Sequence, residues 1–398
     1  MALTVVTQKV RGFICTNAHP AGCARSVERQ IESVLAARPA NATGPKNALV
    51  IGSSTGYGLA SRIALAWGFG AKTLGVFFEK EPSGKRTGTA GYYHSAALHA
   101  RARADGLFAE GINGDAFSEE IKREAAARIR AEMGQVDAVI YSLASPRRVN
   151  PRSGETLQSA LKPIGASYSG KTIDLGNNEV KMTSVEPATD DEIRQTVGVM
   201  GGEDWRWWIE MLLEEGLLAE GARTLAYSYV GPELTWPIYR DGTIGAAKKD
   251  LAKTADALND LLAHRLGGGA WVSVNKAVVT QASAAIPVVP LYISLLFKVM
   301  KAKGVHEGCI EQLQRLCFEH LADGKTPRVD ADRLIRLDDW EMREDVQRET
   351  MALWPQVDTE NLDQLSDYEG FRKDFNQLFG FEIDGVDYEA EVETEAAL

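Results

Sequence analysis

The chain has 398 residues, 44 Lys+Arg against 55 Asp+Glu, and a formal net charge of −11. An acidic balance of this size speaks against nonspecific nucleic-acid binding and against docking on anionic membranes, both of which need a broad positive field. Hydrophobic residues at 44% and charged residues at 25% sit near globular averages, so the chain can bury a full core and is not disordered.

Four cysteines, Cys15, Cys23, Cys309 and Cys317, are too few for a disulfide framework and fit a reducing cytoplasm. Met1 to Val10 lacks the basic and apolar regions of a secretory leader. The longest apolar stretch, Ala284 to Met300, holds Pro287, Pro290 and Lys298 and falls short of the roughly 20 residues that cross a bilayer. It predicts a buried helix.

In chain order, Asn47 to Ile51 predicts a strand that stops at glycines, and Leu59 to Phe69 a helix with Leu59, Ile63, Ala66 and Trp67 on its apolar face. Lys72 to Phe78 is the next strand, His94 to Arg103 a helix, Gly106 to Ile112 a third strand, Ser118 to Met133 a helix, and Val136 to Leu143 a fourth strand. Strands alternating with helices in this way imply a doubly wound parallel α/β sheet. Between Ser145 and Arg223 the rhythm breaks. A hairpin is expected from Lys171 to Leu175 and Val180 to Val185 around Gly176-Asn177-Asn178, followed by a helix from Glu203 to Leu218. Residues 146–223 therefore read as an insertion carrying a substrate lid, placed where open α/β sheets bind ligands. Thr224 to Val230 and Trp271 to Val279 supply two further strands, with a helix from Ile244 to Leu266 between them. The tail from Glu382 to Leu398, with seven acids and no base, predicts a solvated end.

The run Gly52-Ser53-Ser54-Thr55-Gly56-Tyr57-Gly58 lies after a strand and opens a helix. Glycines there permit positive φ and close approach of backbone to a pyrophosphate, while the helix N-terminus attracts its charge. Glu79, at the end of the second strand, is placed to accept from adenosine ribose hydroxyls and to repel a 2′-phosphate, which favours NADH over NADPH; Lys80, Lys85 and Arg86 nearby soften that preference. Asp115 follows the third strand, either at the adenine edge or as a helix cap. Tyr239 and Lys248 are the catalytic candidate, on their position after the fifth strand and not on their spacing: a phenol with an ordinary pKa of about 10 becomes a useful acid when an ammonium stabilises its anion.

Other signals carry less. Cys15, His19 and Cys23 repeat every four residues without a close Cys pair, so a structural segment is expected and no metal. Cys309 and Cys317 read as core packing. Trp205, Trp207 and Trp208 offer one or two walls for an acyl chain, the rest being core. Arg147, Arg148 and Arg152 form either a docking site for an acidic carrier protein or coenzyme A phosphates, or a solvated basic loop.

These residues carry a resemblance. The eight-residue gap between Tyr239 and Lys248, GSSTGYGLASR from Gly52, NGDAFS from Asn113, YSLASP from Tyr141, MGGEDW from Met200 and VSVNKAVVTQASAAIPVVPLY from Val272 resemble the FabV-type enoyl-acyl-carrier-protein reductases and the similar trans-2-enoyl-CoA reductases. The similarity runs from RGFIC at Arg11 to GFEIDGVDYEAEV near the C-terminus. It implies one enlarged Rossmann body of the short-chain dehydrogenase/reductase type spanning residues 1–398. It also implies a cofactor cradle at Gly52, Ser53, Ser54, Thr55, Gly56 and Tyr57, an adenosine ribose between Phe78 and Glu79, and adenine at Asp115 and Ala116. Leu143, Ala144 and Lys248 would line the cofactor, and Val278, Val279 and Thr280 the nicotinamide side. Tyr229 would contact substrate and Tyr239 would be the proton donor.

The expectation is thus an NADH-dependent reductase of the 2,3-double bond of trans-2-enoyl thioesters on acyl carrier protein or coenzyme A, in fatty-acid synthesis. It acts as a cytoplasmic monomer, without nucleic acid, membrane or metal. The rivals are a 3-ketoacyl (carbonyl) reductase of the same superfamily and a non-catalytic NADH sensor.

Overall fold

A computed structural model describes residues 3–11, 14–84, 86–143, 145–281, 283 and 286–398. Its centre is a sheet of seven strands: β1 (Asn47–Ile51), β2 (Lys72–Phe77), β3 (Ala109–Asn113), β4 (Val136–Tyr141), β5 (Leu218–Ser228), β6 (Gly269–Val274) and β7 (Leu334–Arg336). The spatial order is β7-β6-β5-β4-β1-β2-β3, with every neighbouring pair parallel. The order reverses between β1 and β4, and ligands of doubly wound sheets bind in the crevice at that reversal.

Strand alternation divides the core. Ala48 and Val50 of β1 join one apolar layer with Ile140, Leu225 and helix α2 (Gly56–Phe69), packed against α1 (Pro20–Ala37). Leu49 and Ile51 face the opposite layer with Val139, Tyr141, Trp205 and Trp208. Both faces being covered explains why these strands read as continuous apolar runs. A third cluster gathers helix α9 (Val289–Ala302) and the C-terminal aromatics Phe371, Phe375, Phe379 and Phe381.

The predicted βα units are all present, with shifted ends. The first three crossover helices are α2, α3 (Ala90–Ala104) and α4 (Glu119–Glu132). Ser118 caps α4, its hydroxyl accepting from the Ile121 N–H. In the 146–223 stretch, a short ribbon pairs Arg147–Val149 with Thr156–Gln158, and the hairpin pairs Tyr168–Asp174 with Glu179–Val185. Two helices follow, α5 (Asp190–Met200) and α6 (Glu203–Glu214). The helix expected to reach Leu218 stops at Glu214 because Gly216, at φ 67°, turns the chain, and Leu218 already belongs to β5. A short α7 (Trp236–Tyr239) precedes α8 (Thr243–Leu266). The strand predicted to Val279 leaves the sheet after Val274. The apolar helix begins at Val289 with Pro290 in its first turn; the first part of its predicted span, including Ala284 and Ala285, lies outside the described residues.

Two expectations are corrected. The acidic tail is docked: Val392–Glu393 pairs antiparallel with Leu3–Thr4, and the Tyr92 and Tyr93 hydroxyls donate to the carbonyls of Ala396 and Thr394 at 2.7 and 2.8 Å. Its backbone acceptors, which a count of acids does not reveal, hold it. The tryptophans do not wall an acyl site. Trp205 and Trp208 are fully buried beneath the sheet, their indole N–H groups bonded to Thr224 Oγ1 and the Ala116 carbonyl, and Trp207 is covered by the Arg148 and Arg152 guanidinium groups.

Candidate active site

The β1–α2 turn forms the floor of the crevice. The N–H groups of Gly52 and Ser53 both donate to Val76 O, tying the loop to β2. Gly52 has φ 80°, and a Cβ there would lie 2.4 Å from Ser142 O and 2.9 Å from Leu143 Cα, so the end of β4 closes on the loop. A Cβ on Gly58 would lie 1.9 Å from Gly52 O. Gly56 differs: at φ 52°, a Cβ there would meet only Thr280 Cγ2, at 3.7 Å, an ordinary contact. Thr55, the residue before α2, makes no side-chain cap, so the helix offers free N–H groups at its positive end. These residues fit a dinucleotide pyrophosphate. The Tyr57 hydroxyl is turned inward, 3.1 Å from both Lys276 O and Gln312 Oε1.

Beyond the end of β2, Glu79 is half-buried and held by the hydroxyls of Ser54, at 2.6 Å, and Thr89. Its backbone N–H donates to Asn113 Oδ1 at 2.8 Å. Phe78 has left β2 and stands 78% exposed, an apolar surface beside that carboxylate. Asp115 is not the helix cap; its Oδ1 accepts from the Phe117 N–H in a tight turn, while Ser118 does the capping. The next carbonyls, of Ala116 and Phe117, accept from buried Lys122 Nζ at 3.1 and 2.9 Å, and that ammonium pairs with buried Asp204 at 2.8 Å. Asp204 comes from the MGGEDW motif, which thereby steadies the loop after β3.

Tyr239 ends α7 beyond the C-terminal edge of β5, its ring buried and set edge-to-face on Tyr229 with centroids 4.7 Å apart. A narrow cleft with essentially no free volume runs past it, lined by Tyr168, Leu234, Ile238 and Val288 among others. Burial first, and the Glu341 carboxylate second, push the Tyr239 phenol well above its ordinary pKa. Lys248 is not what perturbs it: its ammonium donates to Tyr227 O at 2.9 Å, and burial lowers its pKa to about 8. Tyr239 is therefore held as a neutral O–H donor, not as an ammonium-paired phenolate. Leu143 lies beside Gly52; Val278 and Val279 are buried, and Thr280 faces Gly56 across the crevice. Ala144 lies outside the described residues.

One component went unread in the sequence. Glu341, fully buried beyond β7, accepts from the Tyr229 and Tyr292 hydroxyls and the Ala277 N–H. One acid among the five in the run DDWEMRED carries no signal of this, since its partners lie 49 to 112 positions away.

The weaker signals resolve structurally. His19 caps α1, its Nδ1 accepting from the Gly22 N–H, and all four cysteines are free thiols. No group of three metal-binding side chains occurs among the described residues. Arg148 belongs to neither reading offered for the basic loop: it is buried, bonded to Gly198 O and Glu203 and stacked on Phe117 and Trp207.

A Rossmann-type sheet with a glycine turn opening a helix at its reversal point defines a dinucleotide-binding protein, and a buried tyrosine lies beyond β5. Family comparison narrows it. Residues 86–322 match the trans-2-enoyl-CoA reductase catalytic region, residues 5–84 the NAD(P)H binding domain of trans-2-enoyl-CoA reductase, and residues 329–392 the enoyl reductase FAD binding domain. An enoyl-[acyl-carrier-protein] reductase [NADH] of Coxiella burnetii is 56% identical over 395 residues, covering 99% of this chain and 97% of the relative. The trans-2-enoyl-CoA reductase of Treponema denticola, solved with NAD, superposes with a TM-score of 0.95 at 50% identity, covering 99% of this chain and 100% of that one. The corresponding enzyme of Clostridium acetobutulicum, solved with NADH, gives 0.95 at 42% identity, covering 98% of both chains. The chain belongs to the trans-2-enoyl-CoA reductase family, and it is an NADH-dependent enoyl reductase.

The residues 329–392 do not fit a flavin dinucleotide. They give the central sheet one three-residue strand, without a glycine turn opening a helix. Gly370 packs on Asp367, Gly380 on Cys23 and His19, and Gly385 sits in an exposed turn. The cleft beside Tyr368, Phe371 and Phe375 holds about 340 Å³, near the floor of the roughly 300–1,000 Å³ typical of small-ligand sites.

Proposed function

We propose that the protein reduces the 2,3-double bond of trans-2-enoyl thioesters to the saturated acyl thioester, as the last reductive step of fatty-acid elongation, with Tyr239 as the donor to the thioester oxygen. Bound NADH supplies a hydride to the β-carbon. Negative charge then develops on the thioester oxygen as an enolate, a hydroxyl aimed at it stabilises the transition state more than the ground state, and a proton taken up at the α-carbon completes the saturated acyl thioester. One observation carries the assignment. Three tyrosines meet at this end of the cleft, and the protons of two are committed, Tyr168 to Leu234 O at 3.2 Å and Tyr229 to Glu341 at 3.0 Å. Among the described residues, the Tyr239 hydroxyl has no hydrogen-bond partner.

Gly52 to Tyr57 hold the pyrophosphate through backbone N–H groups, Phe78 and Glu79 flank the adenosine ribose, and Asp115 with Ala116 meets the adenine. Lys248 reaches the nicotinamide ribose from α8, Val278 to Thr280 bound the nicotinamide side, and Tyr229 contacts the substrate. Residues 146–223 are an insertion within one enlarged Rossmann domain, and its hairpin acts as the lid, since Tyr168 at the start of that hairpin lines the cleft. Four free thiols fit a reducing cytoplasm, and no helix among the described residues is long and apolar enough to cross a membrane. The 56% identity to an enzyme named for the acyl carrier protein supports that carrier as the physiological one.

NADH oxidation with crotonyl groups on carrier protein and on coenzyme A, with acetoacetyl-CoA in parallel, tests the reading. Turnover of the enoyl thioesters alone is expected. Turnover confined to the ketone would make the protein a carbonyl reductase, and no turnover with tight NADH binding would make it a sensor.

A further inference from the structure

Glu341 is a buried carboxylate on which donors from three separate parts of the chain converge. Its Oε1 accepts from Tyr292 Oη at 2.7 Å and Tyr229 Oη at 3.0 Å, and its Oε2 accepts from the Ala277 N–H at 2.6 Å. Tyr229 closes β5 and packs on Tyr239, Tyr292 lies in the apolar helix α9, and Ala277 begins the segment that continues through Val278 to Thr280. Gln347 fixes the polarity of one contact: its amide donates to Tyr292 Oη at 3.1 Å and to the Glu341 backbone carbonyl at 2.8 Å, so the Tyr292 proton is left for Glu341. Three donors converge on two carboxylate oxygens, and buried Lys276, bonded to the carbonyls of Ala277 and Glu307, adds positive charge nearby.

We propose that Glu341 is a positioning residue for the reduction: it clamps the Tyr229 ring against Tyr239, draws the Tyr229 proton into the protein interior, and ties the 277–280 segment to the same point. The consequence is chemical selectivity among phenols. With its proton held by Glu341, Tyr229 presents only lone pairs to the cleft, so the oxyanion meets Tyr239 alone. The inference rests on the enoyl reductase reading and deepens it by adding a residue from beyond β7 to the site.

Replacing Glu341 by Gln keeps the shape and breaks the polarity. An amide puts an NH2 group either against the Ala277 N–H or against the two phenols, so one set of donors loses its acceptor. In Glu341→Gln, kcat with an enoyl thioester is expected to fall about 10- to 100-fold, the scale of a catalytic group displaced by about 1 Å, while NADH affinity falls by less than about tenfold because only the 277–280 segment is loosened and the adenosine end is untouched. The Tyr229→Phe/Glu341→Gln double variant is expected to be within about twofold of Glu341→Gln, since residues acting as a unit are not additive. Losses that multiply, or an unaltered kcat in a folded variant, overturn the proposal. Glu341→Asp keeps the charge and draws the carboxylate back by one methylene from Tyr229 and Ala277, so it serves if Glu341→Gln does not fold; a lowered kcat supports the proposal and an unchanged one refutes it. Wild-type enzyme without enoyl-dependent NADH oxidation would instead refute the functional reading itself.

Discussion

Gly56 offers a way to perturb the cofactor cradle while sparing the fold. At φ 52° an alanine there adopts a left-handed conformation that costs about 1–2 kcal/mol. Its methyl meets nothing closer than Thr280 Cγ2 at 3.7 Å, which is ordinary contact. Unfolding entropy of about 2.1 cal/mol/K per residue gives about 0.8 kcal/mol/K for this chain, so Tm is expected to fall by only about 1–3 °C. Binding responds differently. A pyrophosphate oxygen must come within about 2.9 Å of the backbone N–H groups at the start of α2, and the methyl occupies that approach. Loss of one charge-assisted hydrogen bond, about 1.5–3 kcal/mol, corresponds to about a 10- to 100-fold rise in the NADH dissociation constant. Fluorescence titration with NADH beside a thermal melt reads both quantities on one sample. Gly58→Ala is the contrast: its Cβ would lie 1.9 Å from Gly52 O, fixed backbone, so that variant is expected to lose the turn and melt much earlier. If Gly56→Ala binds NADH like the wild type, the pyrophosphate does not cross the start of α2, and the placement of the whole cofactor is wrong.

Tyr239→Phe is expected to lower kcat by about 10²–10³-fold, the usual loss of an oxyanion donor, with an unchanged NADH titration; near-normal steady-state turnover would remove Tyr239 from the mechanism. Burial lowers the Lys248 pKa to about 8, so its ammonium is present below that pH and lost above it. NADH affinity of the free enzyme is therefore expected to be flat at lower pH and to weaken as pH rises through about 8. Lys248→Ala should bind more weakly and show no such inflection; an inflection that survives the substitution assigns it elsewhere. Lys122→Met strands buried Asp204 without its ammonium, at a cost of about 3–5 kcal/mol, or about 4–6 °C of Tm by the same entropy scaling. Adding Asp204→Leu should recover part of the melt, and a double variant that melts still lower would contradict the pairing.

The sequence alone carried the sheet and the glycine turn after its first strand. The βα rhythm from Asn47 to Tyr141 is local: each apolar run and each glycine turn states its own conformation, so strands and crossover helices could be placed within a few residues. The Gly52 to Gly58 turn and the Tyr239 to Lys248 spacing were legible for the same reason, because their residues adjoin in the chain. What the sequence could not state is which distant groups meet. The Lys122–Asp204 pair joins positions 82 apart, and the Tyr239 and Lys248 polar groups, near neighbours in sequence, take different surroundings. The docked tail, the buried tryptophans and Arg148 follow the same rule. Charge or aromaticity predicts exposure only on average, and a specific backbone carbonyl or ring face overrides it once the chain has closed. Glu341 is the clearest instance: a buried carboxylate is tolerable only with its donors in place, and those donors, Ala277, Tyr229 and Tyr292, come together only when β5, the segment after β6, α9 and the chain beyond β7 have packed.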